Sequence, residues 1–125
     1  MRGVTLDSGA LIAFERADRR MLALVARAKE RHDPLAIPAG VIGQVWRDGR
    51  KQVRLARLLA SDIVQIEALD DRRARASGQL CGVARTRDVI DASVVLCARQ
   101  RQQAVVTSDP EDLVRLDATL RIVRI

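Results

Sequence analysis

Apolar positions along this chain fall into two alternating kinds of segment. Val4-Thr5-Leu6 is a short β-prone run that stops at Asp7-Ser8-Gly9, and residues 10–15 then have helical composition, so the start reads strand, turn, helix. Asp18 is placed to cap a second helix in which Met21, Leu22, Leu24, Val25 and Ala28 recur at helical spacing until His32-Asp33-Pro34 ends it. Leu35-Ala36-Ile37 fits a second buried strand. Residues 39–48 follow as a helix that Gly49 breaks, and Leu55, Leu58 and Leu59 stripe the next one. Strands are predicted over 63–66, 104–107 and 120–123, and helices over 70–84, 88–101 and 110–116, the helix over 88–101 being apolar enough to be central.

Strands that alternate with helices imply βαβ crossovers. These demand a parallel sheet covered on both faces, a three-layer α/β/α sandwich. At 125 residues the chain is expected to be one domain over 1–125, and 48% hydrophobic residues are enough to build its core.

Charge narrows the partners. The formal balance is +6, and every cation except Lys29 and Lys51 is arginine, which favours a phosphate-bearing polyanion. Phe14 and Trp46 are the only aromatics, so a base-stacking track is excluded and RNA, if bound, is held by its backbone. Trp46 reads as a core or dimer contact. A single His32 excludes two-histidine chemistry, and it reads as a helix-terminal surface residue. Cys81 and Cys97, far apart and without CxxC spacing, suit a reduced cytoplasmic chain. No apolar run approaches the roughly 20 residues of a membrane span.

In such a fold, chemistry sits at the carboxyl ends of the strands. Asp7 follows the first strand and Asp109 the fourth, while Asp91 occupies the first turn of the long apolar helix. Each also suits a helix N-terminus, with Pro110 ideal at the first helical position and Asp88 and Asp91 at capping-box spacing. Their expected convergence on one crevice decides for function, since clustered carboxylates repel and call for a cation. Oxygen-only ligands select Mg²⁺ or Mn²⁺. Asp7, Asp91 and Asp109 are therefore the expected catalytic and metal-holding residues.

The segments Leu6 to Ala13, Ile37 to Arg47, Asp91-Ala92-Ser93 and Thr107-Ser108-Asp109-Pro110 together resemble the successive motifs of PIN-domain ribonucleases, and more narrowly of VapC-type toxins of toxin–antitoxin pairs. The resemblance implies an acidic quartet holding Mg²⁺ or Mn²⁺, cleavage of RNA such as tRNA, a cognate antitoxin that blocks the site, and a homodimer. Asp7, Asp91 and Asp109 match three of the four acidic positions; the fourth, a glutamate in that family, is Gln44 here. An amide brings no charge and no base, so the alternative is a feeble or inactive PIN-fold module that binds RNA or an antitoxin without cutting. Glu111 and Asp112 are near enough in sequence to add charge, though both also suit a helix dipole.

Thr107 and Ser8 are expected to support the carboxylates by hydrogen bonds. Arg85 and Arg87, just before the helix that bears Asp91, are the expected phosphate contacts. Arg47 joins them if Arg47, Arg50, Lys51 and Arg54 share one helical face across Gly49. A receiver-type phosphorylation domain would want paired acids after the first strand and a lysine after a late one, and a dehalogenase-type phosphatase would want Asp-x-Asp. The chain has neither, nor a GxGxxG or phosphate-binding loop.

Overall fold

The computed structural model describes residues 2–125. Its β-prone runs become β1 (Val4–Leu6), β2 (Leu35–Pro38), β3 (Val64–Glu67), β4 (Ala104–Thr107) and β5 (Ile122–Arg124). All pair in parallel, in the order β3-β2-β1-β4-β5. Because the chain steps first to one side of β1 and later to the other, the order reverses between β1 and β4, the place beyond the strand ends where folds of this kind form a crevice.

The helices are α1 (Ser8–Glu15), α2 (Arg19–Arg31), α3 (Ala39–Val45), α4 (Val53–Leu59), α5 (Asp71–Ala84), α6 (Val89–Arg101) and α7 (Pro110–Leu116). One layer packs α2, α3 and α4 around α1; the other packs α5 and α7 against α6, which lies across β1, β2 and β4. The sandwich expected from the sequence is therefore the observed one. Leu6, Leu11, Leu35, Ile37, Val41, Val94, Val95, Val105 and Val106 are fully buried between the layers. Each such side chain contributes on the order of 1.5–3 kcal/mol of burial.

Sequence cues for helix ends hold where a side chain can act locally. Asp18 accepts from Met21 N at 3.0 Å to start α2, and His32, exposed and left-handed at φ 56°, ends it. Both cysteines are free thiols, buried in α5 and α6.

Among the boundaries that differ from expectation, two have a visible local cause. Helix α3 stops at Val45 rather than running to residue 48, because the Gln52 amide oxygen takes the N–H groups of Arg47 and Asp48 at 2.7 and 2.9 Å. Trp46 then turns to extended backbone and stays 38% exposed, so it is not a core residue. Arg47, Arg50, Lys51 and Arg54 consequently do not form one helical face: only Arg54 is helical, in α4. The last strand begins at Ile122 rather than Leu120, because Asp117 Oδ1 accepts from Thr119 N at 2.9 Å and closes a turn over the preceding residues.

The entry to β1 depends on Gly3. It adopts φ +85°, and a Cβ there would stand 2.1 Å from the Pro34 carbonyl oxygen, which also accepts from Val4 N. Gly78, inside α5, has open space around it. Gly3→Ala is expected to destabilise by about 2 kcal/mol or more through strain and overlap, and Gly78→Ala to stabilise by about 0.5–1 kcal/mol through helix propensity. Urea unfolding of both variants checks the contrast; a Gly3→Ala protein as stable as wild type would refute the described entry.

Candidate active site

Register builds the site. Leu6 pairs with Val106, which sets Asp7 and Thr107 side by side at the crevice. Asp7 is nearly buried, at 7% exposure, and its Oδ1 accepts from Ala10 N at 3.0 Å. Thr107 is fully buried; its hydroxyl accepts from Asp109 N at 3.0 Å and helps to lower the Asp7 carboxyl beside it. One hydroxyl thus acts on two acids that follow different strands. The turn after β4 lies so close to α1 that a Cβ on Gly9 would stand 2.4 Å from Ser108 Oγ.

Asp91 reaches the same crevice from above. It sits in the first turn of α6, where Asp88 caps the helix by accepting from Asp91 N at 2.9 Å. Asp109 occupies the N-cap position of α7, yet its side chain makes no capping bond and turns instead to Glu111. The cap reading therefore fits Asp7 and Asp88 but not Asp109.

The electrostatics show that these acids share one field. Burial raises the Asp7 carboxyl above its ordinary range, against the hydrogen bonds from Thr107 and the α1 N-terminus. Asp91 is pushed up to about 7, by burial first, then by Asp88, Asp112 and Asp7. Asp109 is raised by its hydrogen bond with Glu111, then by burial and the charges of Asp112, Glu111 and Asp7. Glu111 is correspondingly lowered, chiefly by Asp109 and in part by Arg124. Asp88, Asp112 and Glu111 thus belong to the site. Glu111 and Asp112 were expected to add charge here; the part of Asp88 was masked, because an acid at a helix start is equally at home as a cap.

The carboxylates ring the crevice without converging. Asp7 is turned to the α1 N-terminus, Asp91 to Asp88 and Asp109 to Glu111, and among the described residues no three histidine, cysteine or acidic side chains stand as ligands of one ion. In donor chemistry the group still fits a hard divalent cation: its side chains offer oxygen only, and its negative charge is uncompensated enough to hold protons.

The other expected residues are placed as follows. Gln44 is exposed on α3, one turn after Gly40, and Gly40 faces Ile90 beside Asp91, so Gln44 lies on the α3 side of the crevice with its amide free of hydrogen bonds among the described residues. Ser8 is the first residue of α1 and makes no side-chain hydrogen bond among the described residues. Arg85 and Arg87 are exposed in the α5–α6 connection. Arg47 donates to the Gly43 and Trp46 carbonyls at 3.1 and 2.7 Å, which commits it to the end of α3.

No family model and no curated protein sequence matches the chain. Solved structures do. VapBC2 from Rickettsia felis, bound to a DNA fragment from its promoter, superposes at TM-score 0.72 with 12% identity over 98% of both chains. Mycobacterium tuberculosis VapC20, a toxin that cleaves the sarcin–ricin loop, gives 0.70 with 17% identity over 98% of this chain and 99% of that one. A toxin–antitoxin complex from Klebsiella pneumoniae gives 0.69 with 19% identity over the same shares. The chain has the PIN-domain fold. Similarity this low carries the architecture; the chemistry of this PIN domain rests on its own residues.

The raised Asp91 carboxyl has a definite sign. The folded protein keeps a proton that the unfolded chain releases near pH 4, so this contribution to stability is full below about pH 4 and is lost as pH rises through about 7. In EDTA, Asp91→Asn is expected to raise the melting temperature at pH 8 and flatten its decline between pH 5 and 8. Mn²⁺ should raise the wild-type melting temperature at pH 8 more than that of the variant. Parallel pH profiles for the two proteins would contradict the assignment.

Proposed function

We propose that this PIN domain is a divalent-metal-dependent endoribonuclease, the toxin of a toxin–antitoxin pair. The observation that supports the reading is that Asp7, Asp91 and Asp109 border the sheet's switch point, where burial raises Asp7 and Asp91, Glu111 raises Asp109, and the charge of Asp7 adds to the rise at both of the others. Asp7, Asp91 and Asp109 would hold Mg²⁺ or Mn²⁺, with Asp112 and Asp88 adding negative charge around them. A bound cation of this kind supplies a hydroxide equivalent and neutralises charge on a phosphodiester.

The chain's own residues do the rest. Thr107 fixes the Asp109 backbone and favours the ionised form of Asp7. Without a cation the Asp91 carboxyl is pushed up to about 7, so it would give up a proton on binding a divalent ion. Arg85 and Arg87 supply phosphate contacts at the α6 end of the crevice. With few aromatics and a formal charge of +6, the domain suits RNA held by its backbone.

The antitoxin and a homodimer follow by analogy with the toxin–antitoxin complexes that share the fold. The cytoplasm suits two free buried thiols, and no described helix is long and apolar enough to cross a membrane. Gln44 favours a second reading, a PIN fold that grips RNA or an antitoxin without cutting. Incubation with total tRNA in Mn²⁺ or EDTA separates the two.

Asp7→Asn and Asp91→Asn are each expected to lower metal-dependent cleavage at least about a hundredfold while leaving the fold intact, because each removes a charged hard ligand at nearly constant shape. Folded variants that cleave like wild type would refute the site. Gln44→Glu adds an anion facing the crevice and is expected to tighten Mn²⁺ binding several-fold by calorimetry, with a lower melting temperature in EDTA. If neither quantity moves, Gln44 stands outside the site.

A further inference from the structure

The geometry assigns Arg124 to the substrate crevice: we infer that its guanidinium contacts a backbone phosphate of the RNA, an inference that rests on the ribonuclease reading above. Side chains alternate across a strand, so the register fixes which residues share a face. Thr5 faces α6, its hydroxyl 3.9 Å from Cys97 Sγ. Thr5 pairs with Val105, so Val105 and Thr107 face α6 as well. Val105 pairs with Ile122 and Thr107 with Arg124, and Ile125 N donates to the Thr107 carbonyl at 3.1 Å, which locks that register. Arg124 therefore leaves the sheet on the face that carries Asp7, Asp91 and Thr107. It stands one strand spacing, about 4.8 Å, from the residue that acts on the two acids.

Its charge is uncommitted. Elsewhere the arginines near the sheet are spent on the fold: Arg73 and Arg101 hold Glu67, Arg99 holds Asp117, and Arg121 donates to the Gln102 carbonyl. Arg124 is exposed and makes no ion pair or side-chain hydrogen bond among the described residues. It helps to lower the Glu111 carboxyl without forming an ion pair with it. An arginine held at the rim of an acidic crevice has the chemistry to draw in a phosphodiester that the carboxylates alone would repel. Arg85 and Arg87 lie before the N-terminus of α6, whereas Arg124 lies at the edge of the sheet, so the three would grip the strand from two sides.

The test uses the full chain and a labelled 2′-O-methyl single-stranded oligoribonucleotide with Ca²⁺ in place of Mg²⁺, read by fluorescence anisotropy from low to high salt. Arg124→Gln is expected to weaken binding about tenfold. It should also reduce the magnitude of the log–log salt slope by about 0.7, the value for one contact on a single strand. Arg124→Lys is expected to keep the slope and lose two- to threefold in affinity, since the charge stays and the bidentate fork goes. Unchanged affinity and slope in Arg124→Gln, with wild type binding normally, would overturn this inference and leave the ribonuclease reading standing. A loss confined to one oligonucleotide sequence would also overturn it, as would disappearance of the loss in a Glu111→Gln background, where Arg124 would act only as partner to Glu111. Failure of wild type to bind or cleave RNA at all would overturn both readings.

Discussion

Pairing between β1 and β4 is the contact on which this molecule depends. It joins segments about a hundred residues apart in the chain, Val4-Thr5-Leu6 and Ala104-Val105-Val106. By closing the sheet at the point where strand order reverses, it creates the only place in this topology where two strand ends diverge into a crevice. Thr107 extends the pairing into chemistry. Its hydroxyl receives the Asp109 N–H and helps to lower the Asp7 carboxyl beside it. Valine at 107 would keep the packing, leave the Asp109 N–H without that acceptor, and leave Asp7 to the N–H groups of α1.

That arrangement sets opposing demands on the same residues. A nearly buried Asp7 and a half-buried Asp91 favour the neutral carboxyl, while hydrogen bonds from Thr107 and the α1 N-terminus favour the ion at Asp7 only. Asp91 has no such donor set, since its backbone N–H is spent on Asp88 and its neighbours are anions. The result is an asymmetric pair: one acid braced by donors, the other poised near neutrality. Burial raises both carboxyls, and only Asp7 has donors to oppose it; a merely structural cap would gain nothing from such an environment.

Much of this was legible in the sequence because the deciding forces were local. Ala-Val-Val-Thr followed by Ser-Asp-Pro states a strand, a turn and a helix start within seven residues, and β4 and α7 fall where that pattern puts them. Strand alternation gave the parallel sandwich, and the strand ends gave Asp7 and Asp109. What escaped was set at a distance. Helix α3 ends early because a side chain several residues downstream, Gln52, takes its next two N–H groups, and no propensity at residues 46–48 signals that. Asp88 was hidden by degeneracy, since a cap and a site carboxylate occupy the same place at a helix start. The turning of each acid toward its own neighbour, rather than toward a common point, depends on side-chain geometry that spacing does not encode.

The +6 balance illustrates the same limit at the level of the whole molecule. A formal charge invites the view that the protein is a basic surface with an acidic notch, yet much of its arginine is engaged in holding the fold together. Arg73 and Arg101 converge on Glu67 at the end of β3, Arg99 fastens the turn after α7 to α6, Arg2 ties the start of the chain to Asp33, and Arg47 closes α3. These guanidiniums already have partners, so they would add little to counterion release on RNA binding. The charge that matters to a polyanion is the uncommitted remainder near the crevice. This places the functional weight of the basic composition on position rather than on number.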